Sequence, residues 1–424
     1  MNVFRSVFLK LARVGLAGLC VAMPCGLYAA AQVSSPAKAP EARGRAALPP
    51  RVFLLDAKML ADVKSSAPGD PYRQSLIATA TAAADKAMHE GPFSVVQKAV
   101  VPPSGDRHDY MSQAPYFWAD PSKPNGLPYI RRDGERNPEL KKISDHDNLG
   151  RLGENSRNLA LAYYLTANEA YADRAALLLR TWFLDAATKM NPNLEFGQGI
   201  PGINTGRGIG LIETRSLMPA MDAVGLLAGS KAWSEADQEG IKTWLGQFLH
   251  WMRTSDKGKA EDAAKNNHGT WYDLQVTDYA LFLGDRQLAV DTLDRVKTRR
   301  IAVQIEPDGR EPLELVRTNA FSYSIGNLDG LMQLAWLGRE AGVDLWGFQT
   351  PDSRSIRAAL DFLLPYAVGS AEWKYQQIGG FHGDALLHSL QRAEMEYHDA
   401  KYAASVRQLS AGRDDLETLL LRRN

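Results

Sequence analysis

Apolar residues recur every three or four positions along most of the chain from about Pro71 onward, the spacing of one buried helix face. This predicts helices over Tyr72–His89, Asn155–Thr166, Tyr171–Thr188, Glu213–Leu227, Ser234–Arg253, Thr270–Leu283, Asp285–Ala302, Ser324–Ala341 and Ser353–Leu364. The second and third are separated by Ala167-Asn168-Glu169-Ala170, a connection suited to an antiparallel pair. Strict alternation of Val, Ile and Thr is nearly absent, so no large sheet is expected. Successive helical hairpins predict an all-α fold, an α/α toroid in which hairpins form an incomplete barrel of inner and outer helices. An α-solenoid is the alternative on pattern alone. Two stretches break the rhythm: Val101–Gly150, full of Pro, Gly, Asp and aromatic residues, and Met190–Gly210, rich in Gly and Asn. Loops of this length in a compact domain are usually lids or binding loops. They favour the toroid and are expected to lie over a central cleft.

The N-terminus follows another pattern. Arg5, Lys10 and Arg13 flank a mostly apolar run, Val14–Tyr28, and Ala29-Ala30-Ala31 supplies small residues for cleavage. Residues 1–31 therefore read as a signal peptide cleaved near Ala31, which predicts a periplasmic or secreted protein with no membrane attachment after processing. A retained N-terminal anchor is the alternative. Residues 32–50, dominated by Ala, Pro and Ser, read as a flexible leader, leaving 51–424 as the domain that carries function. Cys20 and Cys25 both fall inside the signal, so the processed chain has no disulfide, thiolate metal site or cysteine nucleophile.

The whole chain balances 49 Lys and Arg against 49 Asp and Glu, and loss of the signal removes three positives. This is no nucleic-acid footprint. A polyanionic partner would have to be held by a local basic cleft rather than by the overall field. No His-Glu-x-x-His, Cys cluster or Ca²⁺-loop spacing is present, so neither a metal nor a cofactor is expected. Nothing in the pattern specifies an oligomeric state.

The densest chemistry lies in Asn266-Asn267-His268-Gly269-Thr270-Trp271-Tyr272 and, about fifty residues on, in Arg310–Ser324. Together they offer amides, an imidazole, guanidiniums and a phenol. Such a set suits removal of a proton beside a carboxylate with ejection of a sugar oxygen. The C5 proton of a uronate is poorly acidic, so the carboxylate must be neutralised, a base must take the proton and an acid must protonate the departing O4. Asn267 is assigned to the carboxylate, and His268 is either neutraliser or base. Tyr323 lies six residues after Arg317, and a positive neighbour favours the phenolate, so Tyr323 is a candidate base and then acid. Plainer roles stand beside these: Asn266 tying down a turn, His268 holding a loop, Arg317 pairing with Glu314, and Tyr323 as a core tyrosine. Arg310 is a reserve for Arg317. Softer candidates for substrate contact are Tyr110, Tyr116 and Trp118 as lid or sugar-stacking residues, with His108 beside them. Arg131, Arg132, Asn155, Arg157, Glu213 and His382 complete that group, the last in a Gly-rich loop placed to close one cleft end.

Asn-Asn-His-Gly-Thr-Trp-Tyr-Asp, then Pro-Leu-Glu-Leu-x-Arg-Thr and Tyr-Ser, resembles the alginate lyase superfamily. His108–Trp118, Asp120-Pro121, Gly126–Glu135 and Asn137-Pro138-Glu139 look like its exported branch, polysaccharide lyase family thirty-eight. The resemblance runs over roughly residues 50 to 390. It implies an α/α toroid and metal-independent β-elimination on a 1,4-linked polyuronate, alginate rich in mannuronate or else glucuronan. It carries the neutraliser role to Asn267 and Arg317, the base or neutraliser role to His268, and the base and acid role to Tyr323. In the classical alginate lyases the spacing from Arg to Tyr is one residue longer. Two rivals remain. A glycoside hydrolase would need a carboxylate pair, with Glu311, Glu314 and Asp133 available. A non-catalytic toroid would only bind polysaccharide.

Overall fold

The computed structural model describes residues 49–422. Residues 1–31, expected to be a signal peptide, and all but the last two residues of the expected leader lie outside the described residues. Helices dominate: α1 (Ala57–Ser65), α2 (Pro71–Ala87), α3 (Asp145–Thr166), α4 (Glu169–Phe183), α5 (Met218–Leu226), α6 (Glu235–Thr254), α7 (Asp256–Asp262) and α8 (Asn267–Leu283). After them come α9 (Arg286–Val296), α10 (Ala302–Gln304), α11 (Pro312–Leu315), α12 (Ala320–Ala341), α13 (Ile356–Ala367), α14 (Leu387–Tyr397), α15 (Ala400–Leu409) and α16 (Leu416–Leu420). Local chemistry sets many ends. Asp70, Ser234 and Ser355 accept backbone N–H bonds at the starts of α2, α6 and α13. Gly284 and Gly342, both at positive φ, close α8 and α12.

Helices α3, α5, α8, α12 and α14 pack one against the next, and α2, α4, α6, α9, α13 and α15 pack outside them. The C-terminal α16 returns to α2, where the Tyr72 hydroxyl donates to the Leu419 carbonyl at 2.8 Å. The architecture is the expected incomplete α/α toroid. The central position of α8 explains its weak amphipathic pattern, since nearly every residue from Asn267 to Phe282 is buried.

Several boundaries differ from the periodicity. Helix α3 begins at Asp145, ten residues before Asn155 and inside the stretch read as loop. Its first turns bury Asp145 and Asn148, polar residues that break an apolar pattern. Glu213 lies in a 3-10 segment, Gly208–Leu217, that precedes α5. A π-turn, Lys297–Ile301, interrupts the helix expected over Asp285–Ala302. Helices α1, α7, α11 and α14–α16 fall outside the helices the periodicity predicts.

The two long loops are stitched together over the inner helices. Strand β1 (Met111–Gln113) pairs in parallel with β4 (Phe196–Gly199), and β2 (Phe117–Trp118) pairs antiparallel with β3 (Ile130–Arg131). The fully buried pair of Lys98 and Asp145, 3.0 Å apart, pins this layer, and the Met111 N–H also donates to Asp145. The first loop turns back at Gly134 (φ +77°), where a Cβ would sit 2.3 Å from Thr318 Oγ1. A glycine is required there for the loop to reach the start of α12.

Candidate active site

Asn267 and His268 form the first turn of α8, one residue after the N-cap Asn266. Thr270 lies inside the helix and donates to Gln304. Gly269 is needed for close packing, because a Cβ would meet the Ala264 carbonyl at 2.2 Å and Arg300 Nη1 at 2.4 Å. The N-terminus of α8 meets Glu314. This carboxylate accepts the Asn267 backbone N–H at 2.7 Å, and Asn267 Nδ2 sits 2.9 and 2.8 Å from its two oxygens. Burial raises the Glu314 pKa, and the Asn267 donors oppose the rise. Glu314 therefore belongs to Asn267, not to Arg317 as the three-residue spacing suggested. His268 Nδ1 lies 2.8 Å from Oε1 of the fully buried Glu261, which fixes the ring and leaves Nε2 toward the cleft.

Arg317 is gripped from the first long loop. Its Nε and Nη2 donate to the two oxygens of Asp133 at 3.0 and 2.8 Å, a bidentate contact. Nη2 also donates to the Tyr323 hydroxyl at 2.7 Å, and the guanidinium lies 3.7 Å from the centre of that ring. The Tyr323 hydroxyl in turn donates to Tyr116 Oη at 2.7 Å. Burial of Tyr323 and its bond to Tyr116 outweigh the Arg317 charge and push the phenol well above its ordinary pKa. The expectation that Arg317 makes the resting phenolate is corrected: Asp133 already balances the guanidinium, and the resting group is the neutral phenol.

These residues meet in one cleft of about 1420 Å³, lined by Asn266, Asn267, His268, Arg317, Tyr323 and Tyr116 together with Arg131, His382 and Glu213. Other candidates fall elsewhere. Tyr110 is wholly buried and donates to Glu213 at 2.7 Å, so it supports the cleft from behind. Trp118 donates to the Glu135 carbonyl and carries Arg132 on its face. Arg157 pairs with Glu417 beside a second, smaller cavity of about 330 Å³. Arg310 is exposed and paired with Glu306 and Asp308, which removes it as a substitute for Arg317. Asn155 donates to Glu90, and His108 bonds the Lys189 carbonyl. Of the carboxylates considered for hydrolysis, Glu311 and Glu314 are buried, Asp133 is held by Arg317 and Arg131, and none lines the cleft.

A family model described as alginate lyase matches residues 94–373. The chain belongs to the alginate lyase family. It is a polysaccharide lyase. An alginate lyase from Bacteroides ovatus of known structure is 41% identical, with a TM-score of 0.85 over 88% of this chain and 100% of that one. More distant is alginate lyase A1-III. A histidine-to-alanine variant complexed with a tetrasaccharide is 17% identical, with a TM-score of 0.54 over 82% of this chain and 89% of that one. The apo form of the variant is 16% identical, with a TM-score of 0.56 over 86% and 94%. At that identity the likeness is one of fold. No curated protein matches the chain.

Within this family member, sequence reasoning missed Glu261, the carboxylate that orients His268, and the cleft residues Arg207, Arg215 and His146. Arg207 donates to Gln198 Oε1 at 2.7 Å, and its burial lowers its pKa. No motif marks them.

Proposed function

We propose that this lyase is exported after signal-peptide cleavage, carries its catalysis on residues 51–424, and cleaves mannuronate-rich alginate by metal-independent β-elimination. The observation that carries this reading is the convergence of Tyr323, Arg317, Tyr116 and His268 in one cleft. In mannuronate the C5 proton and O4 lie on the same ring face, so one group can serve both. Tyr323 first passes its proton to the Tyr116 oxygen as Tyr116 releases its own hydroxyl proton to solvent water in the cleft, leaving the phenolate on Tyr323 where Arg317 stabilises it. The phenolate takes the C5 proton. The electron pair forms the C4–C5 double bond, the C4–O4 bond breaks, and Tyr323 returns the proton to O4. His268, its ring held at Nδ1 by Glu261, faces the uronate carboxylate with Nε2, with Asn267 beside it. In guluronate the proton and O4 lie on opposite faces, and His268 Nε2 would have to act as base.

The test is to give purified residues 32–424 polymannuronate, polyguluronate and glucuronan separately, with Tyr323→Phe in parallel. Near-ultraviolet absorbance reports the unsaturated uronate. Absorbance rising on polymannuronate, and lost in the variant by about a hundredfold or more, supports the reading. New reducing ends without absorbance would overturn elimination, and activity on polyguluronate alone would overturn the single-face mechanism.

A further inference from the structure

Arg215 stands near the end of the 3-10 segment Gly208–Leu217 and lines the cleft. Its guanidinium lies over the Trp271 ring, 4.9 Å from the centroid. Trp271 follows Asn267 by one turn of α8, so one helix face carries both Asn267 and the platform beneath Arg215. Among the described residues Arg215 makes no hydrogen bond or ion pair, and the ring is its partner. Of the other cleft guanidiniums, Arg131 and Arg317 grip Asp133, Arg151 pairs with Glu90 and Arg207 donates to Gln198, while the exposed Arg136 has neither an ion pair nor an aromatic platform among the described residues. The nearest carboxylates acting on Arg215, Asp329 and Glu213, do so at long range. The cleft walls partly desolvate the guanidinium and lower its pKa, while the side chain stays open to solvent.

Arg215 is exposed to the cleft and has no anion in contact, and an aromatic face supplies only part of what a bound anion would. The missing partner has a definite shape. A guanidinium fork is completed by a planar anion with two oxygens, which is a carboxylate. A polyuronate presents one carboxylate on every sugar. The reacting sugar's carboxylate is addressed at Asn267 and His268. Trp271 lies four residues along the same helix, about 6 Å at 1.5 Å per residue, a displacement comparable to one pyranose ring.

We infer that Arg215, seated on Trp271, binds the carboxylate of a uronate next to the reacting one and so sets the chain length the enzyme needs. This rests on the function proposed above. A neighbouring-sugar contact is made equally before and during reaction, so its loss raises KM more than it lowers kcat.

The experiment compares wild type, Arg215→Met and Arg215→Lys in the full processed enzyme. Each is assayed on polymannuronate and on size-fractionated mannuronate oligomers, and melted without substrate. Losing a charged hydrogen-bonded contact is expected to raise KM by about ten- to a hundredfold on polymer. kcat should fall by only a few-fold, and Lys should restore part of the loss, because it keeps the charge without the fork. The shortest cleaved oligomers should lose the difference between wild type and Met. The melting midpoint should hold or rise, since no protein partner is left stranded. An unchanged KM would overturn the inference, as would a lowered midpoint with equal losses on every chain length. Should wild type make no unsaturated product from any polyuronate, the proposed function falls. Calorimetric binding of polymannuronate then decides Arg215 separately: weaker binding by the Met variant sustains the inference, and equal binding overturns it.

Discussion

Replacing Asp133 by Asn separates a structural clamp from a catalytic carboxylate. Asp133 accepts two bonds from Arg317, at 3.0 and 2.8 Å, one from Arg131 at 2.7 Å, and contacts from the Thr318 N–H and hydroxyl at 3.3 and 3.2 Å. Partial burial alone would raise its pKa, yet these donors hold it well below the usual carboxylate range. Asn keeps the shape and one acceptor but loses the charge and leaves Arg317 facing an amide. Hydrogen bonds to charged groups contribute about 1.5–3 kcal/mol each. The Arg131 contact is exposed and adds little. Two bonds weakened rather than abolished suggest a loss of about 2–4 kcal/mol, read as a lower urea midpoint. Activity should fall by about tenfold, because Arg317 no longer holds Tyr323 rigidly. That is far less than the loss expected for Tyr323→Phe. The pH dependence has a definite sign. A carboxylate with a depressed folded pKa contributes stability above its unfolded value of about 3.9, and that contribution is lost as pH falls through the folded pKa. Wild type should therefore lose stability on acidification below about pH 4, with the Asn curve flatter over the same window. A wild-type urea midpoint with activity abolished would refute the clamp and return Asp133 to the role of a catalytic carboxylate.

Asp278 on α8 is fully buried, neither oxygen has a hydrogen-bond partner, and burial raises its pKa well above the ordinary value, with Asp222 adding to the rise. The unfolded carboxyl ionises near pH 3.9 while the folded one stays protonated, so this group costs stability increasingly as pH climbs above about 4. Asp278→Asn should be more stable than wild type at pH 7 by more than about 1 kcal/mol, with the difference shrinking near pH 4. A pH-independent difference in chemical denaturation would count against this. Because the resting Tyr323 is a neutral phenol with a raised pKa, the phenolate fraction grows with pH. kcat on polymannuronate should climb through the neutral and alkaline range with a log slope of about one, and a plateau beginning near pH 7 would assign the base to another group.

The helical class was legible because it is written locally. Apolar spacing, Asp and Ser caps and the glycines after α8 and α12 each act within a few residues. The contiguous Asn266–Tyr272 run announced itself for the same reason. Boundaries failed where polar residues are buried, as at the start of α3, because a cleft-facing helix carries hydrophilic residues on an inward face. The wiring of the site was not legible. His268 depends on Glu261 from α7, Asn267 on Glu314 from α11, Arg317 on Asp133 and Tyr323 on Tyr116, both from the first long loop. Asp133 lies 184 residues before Arg317 and Tyr116 207 before Tyr323, separations at which spacing carries no information. Arg310 and Arg317 look alike in the chain, yet packing sends one to the surface with Asp308 and the other into the cleft. The protonation of Tyr323 follows from desolvation, which depends on what surrounds a residue rather than on what precedes it. Residue types with the right chemistry are a property of the chain. Their pairing, burial and charge balance are properties of the folded molecule.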